Sequence, residues 1–467
     1  MRSGSQKVIR SLNMGVGLVS LLLVALIVVF TESGDPILWG FSIRLWIFVC
    51  VFFVVGCAFF YVGARSSLAF NQNVLVVMMS CGMGLLASEG LVRVLQEDPN
   101  RVLWEVKERR EAGELIYPSV NPLGPGLNRL TPLPNAKTLL KDEGYGWITF
   151  RADENGFRNP GNLYSSNEKL DLFAVGDSYT MSCSVPQESD WIHLLRVHGK
   201  IKAYSAGVPG ASALQELAIL LKYGIPKRPG IVLWVFYDND YVGLTDELKQ
   251  IYLKQCLPED LQEYFEVDAD EEAEYFSDEA FRNWLDTFFE KSSTLDLDSQ
   301  WKKKKPIIVW MRKYSKFIDF LIEITDERVL YEDVILEKTI QHKSLLVKIL
   351  KEAKAAVQHQ NGEFLFIYLP TFAHFVEKYR DIYTKIGDRT LDIAREAGVP
   401  VLDFRKDLLN EPDLFSLYAR GREGGHFSVK GYRLLSDAVL KKIAKASLAH
   451  SSPALAGLRG DPLCVPR

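Results

Sequence analysis

Cysteine is scarce in this sequence, and the few cysteines form no metal-binding pattern. Six occur among 467 residues, and no two of them stand as a Cys-x-x-Cys pair. The seven histidines are also scattered, with no group at the spacing that metal ligands need. We therefore expect neither a structural metal nor a cofactor.

An excess of positive charge is also absent. The 55 Lys and Arg residues are outnumbered by 59 Asp and Glu residues, which gives a net charge of −4. Proteins that bind nucleic acids usually carry a basic footprint. The composition therefore argues against nucleic acid as a partner.

Long apolar runs with at most one charged residue are missing after about residue 95 but dominate the chain before it. Residues 12–30, 41–63 and 73–92 are each long enough to cross a hydrocarbon core of about 30 Å as a helix. We predict three transmembrane helices in a membrane segment, residues 1–94. Two alternatives stay open: a cleaved signal peptide for the first run, and an interfacial or core helix for the third.

The charges that flank these runs predict their orientation. Arg2, Lys7 and Arg10 precede the first run, and Glu32 and Asp35 follow it. Since Lys and Arg favour cytoplasmic loops, the amino terminus is predicted to be cytoplasmic. Three crossings then place the rest of the chain outside the cell membrane, in the periplasm or at the cell surface.

Beyond the membrane segment, alternating apolar patterns predict an α/β domain. Residues 95–168 are predicted to be a connector and lead-in, and residues 169–450 the domain itself, with a charged insertion at about 242–342. Residues 451–467 are rich in Pro and Gly, which predicts a disordered tail. Five apolar stretches interleave with helical patterns and predict a parallel sheet between two helix layers. These stretches are residues 170–175, 201–203, 231–236, 364–369 and 399–404.

Distinctive residues stand shortly after four of these predicted strands. Ser178 follows the first strand, Gly210 the second and Asn239 the third, and His426 comes after the fifth. In open α/β sheets the ligand crevice lies at the carboxyl ends of the strands. A serine and a histidine at that edge are residue types of nucleophilic catalysis, because imidazole accepts the serine proton near neutral pH.

These positions and their neighbours resemble the SGNH (GDSL-like) hydrolase superfamily. The matching segments are Gly176-Asp177-Ser178-Tyr179-Thr180, Ala206-Gly207-Val208-Pro209-Gly210-Ala211-Ser212, Asp238-Asn239-Asp240 and Gly425-His426-Phe427-Ser428-Val429-Lys430-Gly431-Tyr432. The resemblance covers roughly residues 145–445. It implies a flavodoxin-like, three-layer α/β/α sandwich with a five-stranded parallel sheet.

The lead-in is similar to that of membrane-anchored bacterial members of the superfamily. Those proteins carry a Glu and an Arg at the end of a transmembrane helix, as Glu89 and Arg93 do here. They also carry an Asn-x-x-Gly-Phe-Arg element. Residues 153–158 match this element except that Asp153 stands in place of the Asn.

The resemblance implies a role for each residue of the constellation. Ser178 would be the nucleophile and His426 the general base and acid. The backbone N–H groups of Ser178 and Gly210, together with the side-chain amide of Asn239, would form the oxyanion hole. Asp177 would support the turn at the end of the strand.

Two segments depart from the superfamily pattern. An Asp usually stands three residues before the histidine, whereas this chain has Glu423 there, which we predict to orient His426. The third segment has Tyr237 in place of a glycine and Asp238 where no acid is usual.

The sequence thus predicts a membrane-anchored, extracytoplasmic serine esterase that removes O-acyl (O-acetyl) groups from a cell-envelope carbohydrate or lipid-linked substrate. Two alternatives stay open: an O-acyltransferase that works with a partner protein, and a non-catalytic scaffold on a degenerate SGNH fold. Each residue also has a structural alternative. Ser178 would then cap a helix, Gly210 and Asn239 would shape turns, and His426 would be a surface loop residue.

Overall fold

The computed structural model of this protein describes the chain from residue 101 to residue 449, with five gaps. The gaps are residues 120–128, 167–168, 268–276, 292–327 and 422–423. The three predicted membrane spans, Glu89, Arg93, Glu423 and the predicted tail therefore lie outside the described residues. Among the helices that are described, none is both long and apolar enough to cross a bilayer.

The described chain begins with a helix and a small sheet. Helix α1 (Arg101–Glu111) precedes three short strands, β1 (Tyr117–Pro118), β2 (Lys137–Leu139) and β3 (Thr149–Arg151). Strand β2 pairs in parallel with β1 and antiparallel with β3. The described part of the lead-in therefore contains a helix and a three-stranded sheet.

The main sheet has five parallel strands, as the sequence predicts. They are β4 (Leu172–Gly176), β5 (Ala203–Gly207), β6 (Ile231–Tyr237), β7 (Glu363–Leu369) and β8 (Val401–Asp403). Their order across the sheet is β5-β4-β6-β7-β8, which is the flavodoxin-like order. The second strand begins two residues later than predicted, at Ala203.

Alternating side chains of β4 enter two different cores. Phe173 and Val175 pack in one hydrophobic cluster, and Leu172 and Ala174 pack in the other. Successive side chains of a strand point to opposite faces of a sheet, so an uninterrupted apolar strand is covered on both faces. The predicted three-layer arrangement follows from this.

Twelve α-helices follow β4 in the described part of the chain, and several of them cover the two faces of the main sheet. In chain order they are α2 (Ser178–Met181), α3 (Trp191–Gly199), α4 (Ala213–Ile219), α5 (Asp240–Glu247), α6 (Ile251–Gln255), α7 (Glu259–Gln262), α8 (Asp278–Lys291), α9 (Arg328–Gln341), α10 (Lys343–His359), α11 (Arg380–Glu396), α12 (Arg405–Leu408) and α13 (Val429–Ala449). Helices α4, α10 and α11 contribute to the first cluster, and α3 and α13 to the second. Helices α5 to α10 lie between β6 and β7, and the predicted insertion falls within this stretch.

Candidate active site

Ser178 lies on a tight turn at the carboxyl end of the central strand β4. It is the first residue of α2, and the side chain of Asp177 caps that helix by accepting the N–H of Tyr179 at 2.9 Å. A Cβ atom on Gly176 would come within 2.7 Å of the Val235 carbonyl oxygen, so glycine is needed where β4 passes β6. The turn leaves the Ser178 side chain half-buried at the sheet edge.

His426 contacts the Ser178 side chain directly. Its Nε2 atom lies 2.7 Å from Oγ of Ser178. The ring packs beside that of Tyr179, with centroids 4.7 Å apart, and the Tyr179 hydroxyl donates to the carbonyl of Gly425 at 3.1 Å. Tyr179, the residue after Ser178, thus fixes the loop that carries the histidine.

The carboxylate that holds His426 is Glu143. Its two oxygens lie 2.9 and 3.0 Å from Nδ1 of His426, and one of them accepts the backbone N–H of the same residue at 2.9 Å. The Glu143 side chain is only 8% exposed. Three contacts from one carboxylate therefore orient both the ring and the backbone of His426.

Our prediction for Glu423 stays a prediction. That residue lies outside the described residues, and the Nδ1 position that it was expected to fill is occupied by Glu143. Glu143 stands on the loop between β2 and β3, 283 positions before the histidine. The sequence placed this loop in the lead-in, and nothing in its local pattern points to a residue so far along the chain.

The ionisation of Glu143 determines which ring nitrogen of His426 carries a proton. Burial acts to raise its pKa, but the hydrogen bonds and charge of His426 outweigh burial and lower it to about 2. An ionised carboxylate only accepts hydrogen bonds, so Nδ1 of His426 carries the proton. When the ring carries this one proton, the lone pair is on Nε2, and the Ser178 hydroxyl is the donor of the 2.7 Å contact.

Asp177 lies next to Ser178 and is the more distant of the two groups that contact its hydroxyl. It is fully buried, and its Oδ2 atom lies 3.3 Å from the Ser178 hydroxyl, farther than Nε2 of His426. Burial raises the pKa of Asp177, while hydrogen bonds from Tyr179, Ser178 and Asn239 act to lower it. Its geometry fits the predicted supporting role.

The loops that carry Gly210 and Asn239 meet the Ser178 turn at one edge of the sheet. In the register of the strands, Gly176 pairs with Gly207 on one side and with Val235 on the other. Gly210 is exposed and has a φ of +80°, a backbone conformation that favours glycine. The side-chain amide of Asn239 hydrogen bonds to Asp177.

A buried carboxylate joins these two loops. Glu247, on α5, accepts the N–H of Ser212 at 2.7 Å and that of Leu214 at 2.9 Å. The Ser212 hydroxyl in turn donates to the backbone carbonyl of Asp240. Burial raises the pKa of Glu247 to about 8, although the backbone N–H groups act to lower it. Glu247 therefore fixes the Gly210 loop against the helix that follows Asn239.

Arg158 of the Gly-Phe-Arg element anchors the segment that follows Ser178. Its guanidinium is 1% exposed and donates to three carbonyls, those of Met181 at 3.2 Å, Ser182 at 2.7 Å and Val185 at 2.8 Å. These carbonyls close the end of α2, so Arg158 anchors the short helix that begins at Ser178.

Asp153 suits the position where an Asn is expected. Its carboxylate accepts four hydrogen bonds, from the backbone of Asn155 and Phe157 and from the side chains of Tyr204 and Asn159. An Asn side chain has one acceptor oxygen, whereas a carboxylate has two. The substitution is therefore matched to four donors.

The two departures in the third segment also have structural explanations. Asp238 faces β7, where it accepts the Tyr368 hydroxyl at 2.7 Å and the backbone N–H of Thr371 at 3.1 Å. Tyr237 stacks on Tyr179 with ring centroids 4.2 Å apart. Both residues brace the loops around Ser178 and His426 and leave the contact between those two residues open.

Comparisons with known proteins give similar structures but no similar sequences. No protein-family profile matches the chain. No curated protein matches it either. Similar solved structures include a lipase/acylhydrolase from Enterococcus faecalis, with 13% identity, a TM-score of 0.31, and coverage of 59% of this chain and 95% of that one.

Two further structures have the same kind of name. A member of the lipolytic protein G-D-S-L family from Veillonella parvula has 11% identity, a TM-score of 0.30, and coverage of 58% of this chain and 96% of that one. A catalytic mutant of an acetylxylan esterase from Geobacillus stearothermophilus has 13% identity, a TM-score of 0.30, and coverage of 59% and 94%.

Proposed function

We propose that the protein is a serine ester hydrolase of the SGNH type, with Ser178 as nucleophile, His426 as general base and acid, and Glu143 as orienting acid. The observation that carries this proposal is the continuous relay from Glu143 through Nδ1 and Nε2 of His426 to Oγ of Ser178. The 2.7 Å contact between Nε2 and Oγ lies in the range of about 2.6–3.2 Å that proton transfer needs.

In the first half of the reaction, Ser178 Oγ attacks the ester carbonyl carbon as its proton passes to Nε2 of His426. The carbonyl oxygen becomes an oxyanion, for which the N–H groups of Ser178 and Gly210 and the Asn239 amide are the proposed donors. The intermediate collapses by breaking its bond to the alcohol, which leaves with the proton from Nε2. The acyl group remains on Ser178.

In the second half, water replaces the alcohol. A water molecule gives its proton to Nε2 and attacks the acyl carbon, and Ser178 leaves with that proton as the free acid is released. His426 carries a positive charge at both transition states. The ionised Glu143 carboxylate stabilises that charge, which is the role of the third residue of such relays.

We also propose that this chemistry takes place outside the cell membrane, on O-acylated (O-acetylated) carbohydrate of the cell envelope or a lipid-linked precursor of it. The apolar runs before residue 95 and the basic residues ahead of them support this location. An alkaline phosphatase reporter fused after residue 98 tests it, since that enzyme needs export to be active. Low reporter activity with normal expression would contradict the location.

The experiment that tests the activity is hydrolysis of p-nitrophenyl acetate by the purified full-length chain. Ser178→Ala removes the attacking oxygen, so we expect kcat to fall by about 10⁴-fold or more. Ser165→Ala, an exposed serine away from the site, is the matched control.

The possible outcomes separate the candidate functions. Equal turnover by the wild type and Ser178→Ala would contradict the hydrolase. Acetyl transfer to an added oligosaccharide, with little transfer to water, would identify an O-acyltransferase instead. The scaffold alternative rested on the missing Asp near His426, and Glu143 supplies that carboxylate.

A further inference from the structure

A second cavity lies at the carboxyl edge of the main sheet, beyond the ends of β7 and β8. It has a volume of about 710 Å³, within the range of roughly 300–1,000 Å³ of small-ligand sites. Its lining includes three cationic side chains, those of Arg380, Arg405 and Lys406. The relay of Ser178, His426 and Glu143 does not use this cavity.

The cationic side chains differ in how their charge is balanced. Arg405 is buried and is held by Asp403 at 2.8 and 2.9 Å and by Asp388 at 3.0 Å. Arg380 and Lys406 are exposed, and neither has an ion-pair partner in the part of the chain that the structure describes. The two carboxylates are engaged by Arg405, so the charges of Arg380 and Lys406 are available to an anion.

His374 adds an unpartnered acceptor to the same cavity. It is 7% exposed, and its Nδ1 atom is buried with no hydrogen-bond partner among the described residues. The ring also hydrogen bonds with the backbone of Tyr383, and Nε2 is the nitrogen left to donate that bond. Nδ1 of the neutral ring is then an acceptor, which a hydroxyl group satisfies.

The rest of the lining consists of Thr384, the Asp403 carboxylate that pairs with Arg405, and four apolar side chains. Phe375, Leu409, Leu414 and Phe415 line the cavity. A sugar ring offers apolar C–H faces to such walls and hydroxyl groups to His374. A carboxylate or phosphate on that sugar would complete the match, because Arg380 and Lys406 are available to it.

One layer of residues separates the cavity from the catalytic loop. Phe372 packs against Phe415, with ring centroids 5.7 Å apart. On its other side it lies so close to Gly424 that a Cβ atom there would meet it at 3.2 Å. Gly424 is two residues before His426, so Phe372 contacts both the cavity wall and the loop that carries His426.

We propose that this cavity binds an acidic sugar unit, either a uronic acid or a sugar phosphate, of the acylated carbohydrate that Ser178 attacks. The identity of the ligand as part of the substrate rests on the proposed hydrolase function, whereas the binding itself can be tested without it. It is based on two cations and one imidazole nitrogen that have no partner among the described residues, and on the apolar side chains that line the same cavity.

The test is direct binding to the full-length Ser178→Ala protein, measured by calorimetry, so that no turnover is needed. The probes are trigalacturonate, neutral galactotriose, galactose 6-phosphate and inorganic phosphate. We expect trigalacturonate or galactose 6-phosphate to bind at least about tenfold more tightly than galactotriose, a factor that corresponds to 1.4 kcal/mol. The stronger of the two identifies the source of the anion.

Variants assign the binding to the cavity. Arg380→Ala and Lys406→Ala should each weaken the acidic probe by about tenfold, and His374→Phe should weaken every sugar probe. Lys351→Ala removes one exposed cation on α10 outside the cavity and is the charge control. Equal binding of acidic and neutral sugars, or losses no larger than that of the control, would overturn the proposal.

Two further outcomes are decisive. If inorganic phosphate competes as well as galactose 6-phosphate, the cavity binds simple anions and the sugar part of the proposal fails. If p-nitrophenyl acetate is not hydrolysed by the wild type but acidic sugars bind as expected, the hydrolase function fails and the cavity stands.

Discussion

The two ends of the proposed relay come from regions of very different construction. Ser178 follows β4, whose five residues are all buried and which pairs with strands on both sides. Glu143 is carried by the loop between β2 and β3, two strands of three residues each in a small sheet. One end of the relay is set in the core, and the other is set in a loop.

This difference predicts that substitutions in the two regions affect stability and activity to different extents. The turn at Ser178 is anchored by the buried Arg158, whose donors close α2. The loop at Glu143 is shaped by Asp142, which accepts the N–H groups of Gly144 and Gly146 near the surface. Damage at the first anchor should unfold the protein, whereas damage at the second should mainly reduce turnover.

The substitution with the largest expected effect on turnover is Glu143→Gln. The neutral amide of the variant does not stabilise a positively charged His426, and its NH2 group favours the tautomer with the proton on Nε2. We therefore expect kcat for p-nitrophenyl acetate to fall by about 10³–10⁴-fold with little change in KM. Glu423→Gln is the matched control and should cost much less. A larger loss in Glu423→Gln than in Glu143→Gln would restore Glu423 as the orienting acid.

Arg158→Met tests the region of the chain that carries Ser178. It leaves the carbonyls of Met181, Ser182 and Val185 without their buried donor, and each such group costs about 1–3 kcal/mol. We expect a loss of more than about 3 kcal/mol in the free energy of unfolding, measured by urea denaturation. Arg158→Lys should recover part of it. Full stability of Arg158→Met would show that Arg158 is not an anchor.

Glu247→Gln tests the buried carboxylate that positions the Gly210 loop. The hydroxyl oxygen of a protonated carboxyl still accepts a hydrogen bond, whereas the NH2 group of Gln cannot. One of the two backbone N–H groups therefore faces a donor in Glu247→Gln, which shifts the Gly210 loop. We expect kcat to fall by about tenfold to a hundredfold, below the full loss of one oxyanion donor. An unchanged kcat would separate Glu247 from the oxyanion hole.

The same variant predicts a change in pH dependence. Burial raises the pKa of Glu247 from 4.5 to about 8, so the folded state keeps a proton that the unfolded state releases. The stability contribution is complete below about pH 4.5 and is lost as the pH rises through about 8. Urea denaturation at pH 5 and pH 8 should show a smaller decrease for Glu247→Gln than for the wild type. Equal decreases would contradict the assignment.

Asp142→Ala should have the smallest effect. It removes two hydrogen bonds from an exposed turn, so we expect a loss of about 1 kcal/mol in stability. The catalytic cost should be a few-fold decrease in kcat, because Glu143 still binds His426 directly. A loss of kcat as large as that of Glu143→Gln would show that the loop has no hold on Glu143 other than Asp142.

Much of the fold could be predicted from the sequence because the strands of the main sheet are continuous apolar runs. Residues placed shortly after such runs must lie at one sheet edge, so the meeting of the Ser178, Gly210 and Asn239 loops follows from the topology. The second strand was shifted because the apolar signal of Ile201 precedes the first paired residue, Ala203.

Glu143 could not be predicted in the same way. It belongs to no long apolar run, and its partner lies 283 positions away, so only the three-dimensional fold joins them. Glu423 was chosen because family spacing placed an acid there. The acidic-sugar cavity was missed for a similar reason, since His374, Arg380 and Lys406 come from three different elements.

The central claim is that the relay from Glu143 activates Ser178, and a fluorophosphonate probe tests it without any knowledge of the substrate. The reagent should label the full-length chain at Ser178, as read by mass spectrometry, and the rate should fall at least about tenfold in Glu143→Gln but not in Glu423→Gln. No label on Ser178, or labelling at the same rate in all three proteins, would contradict the account.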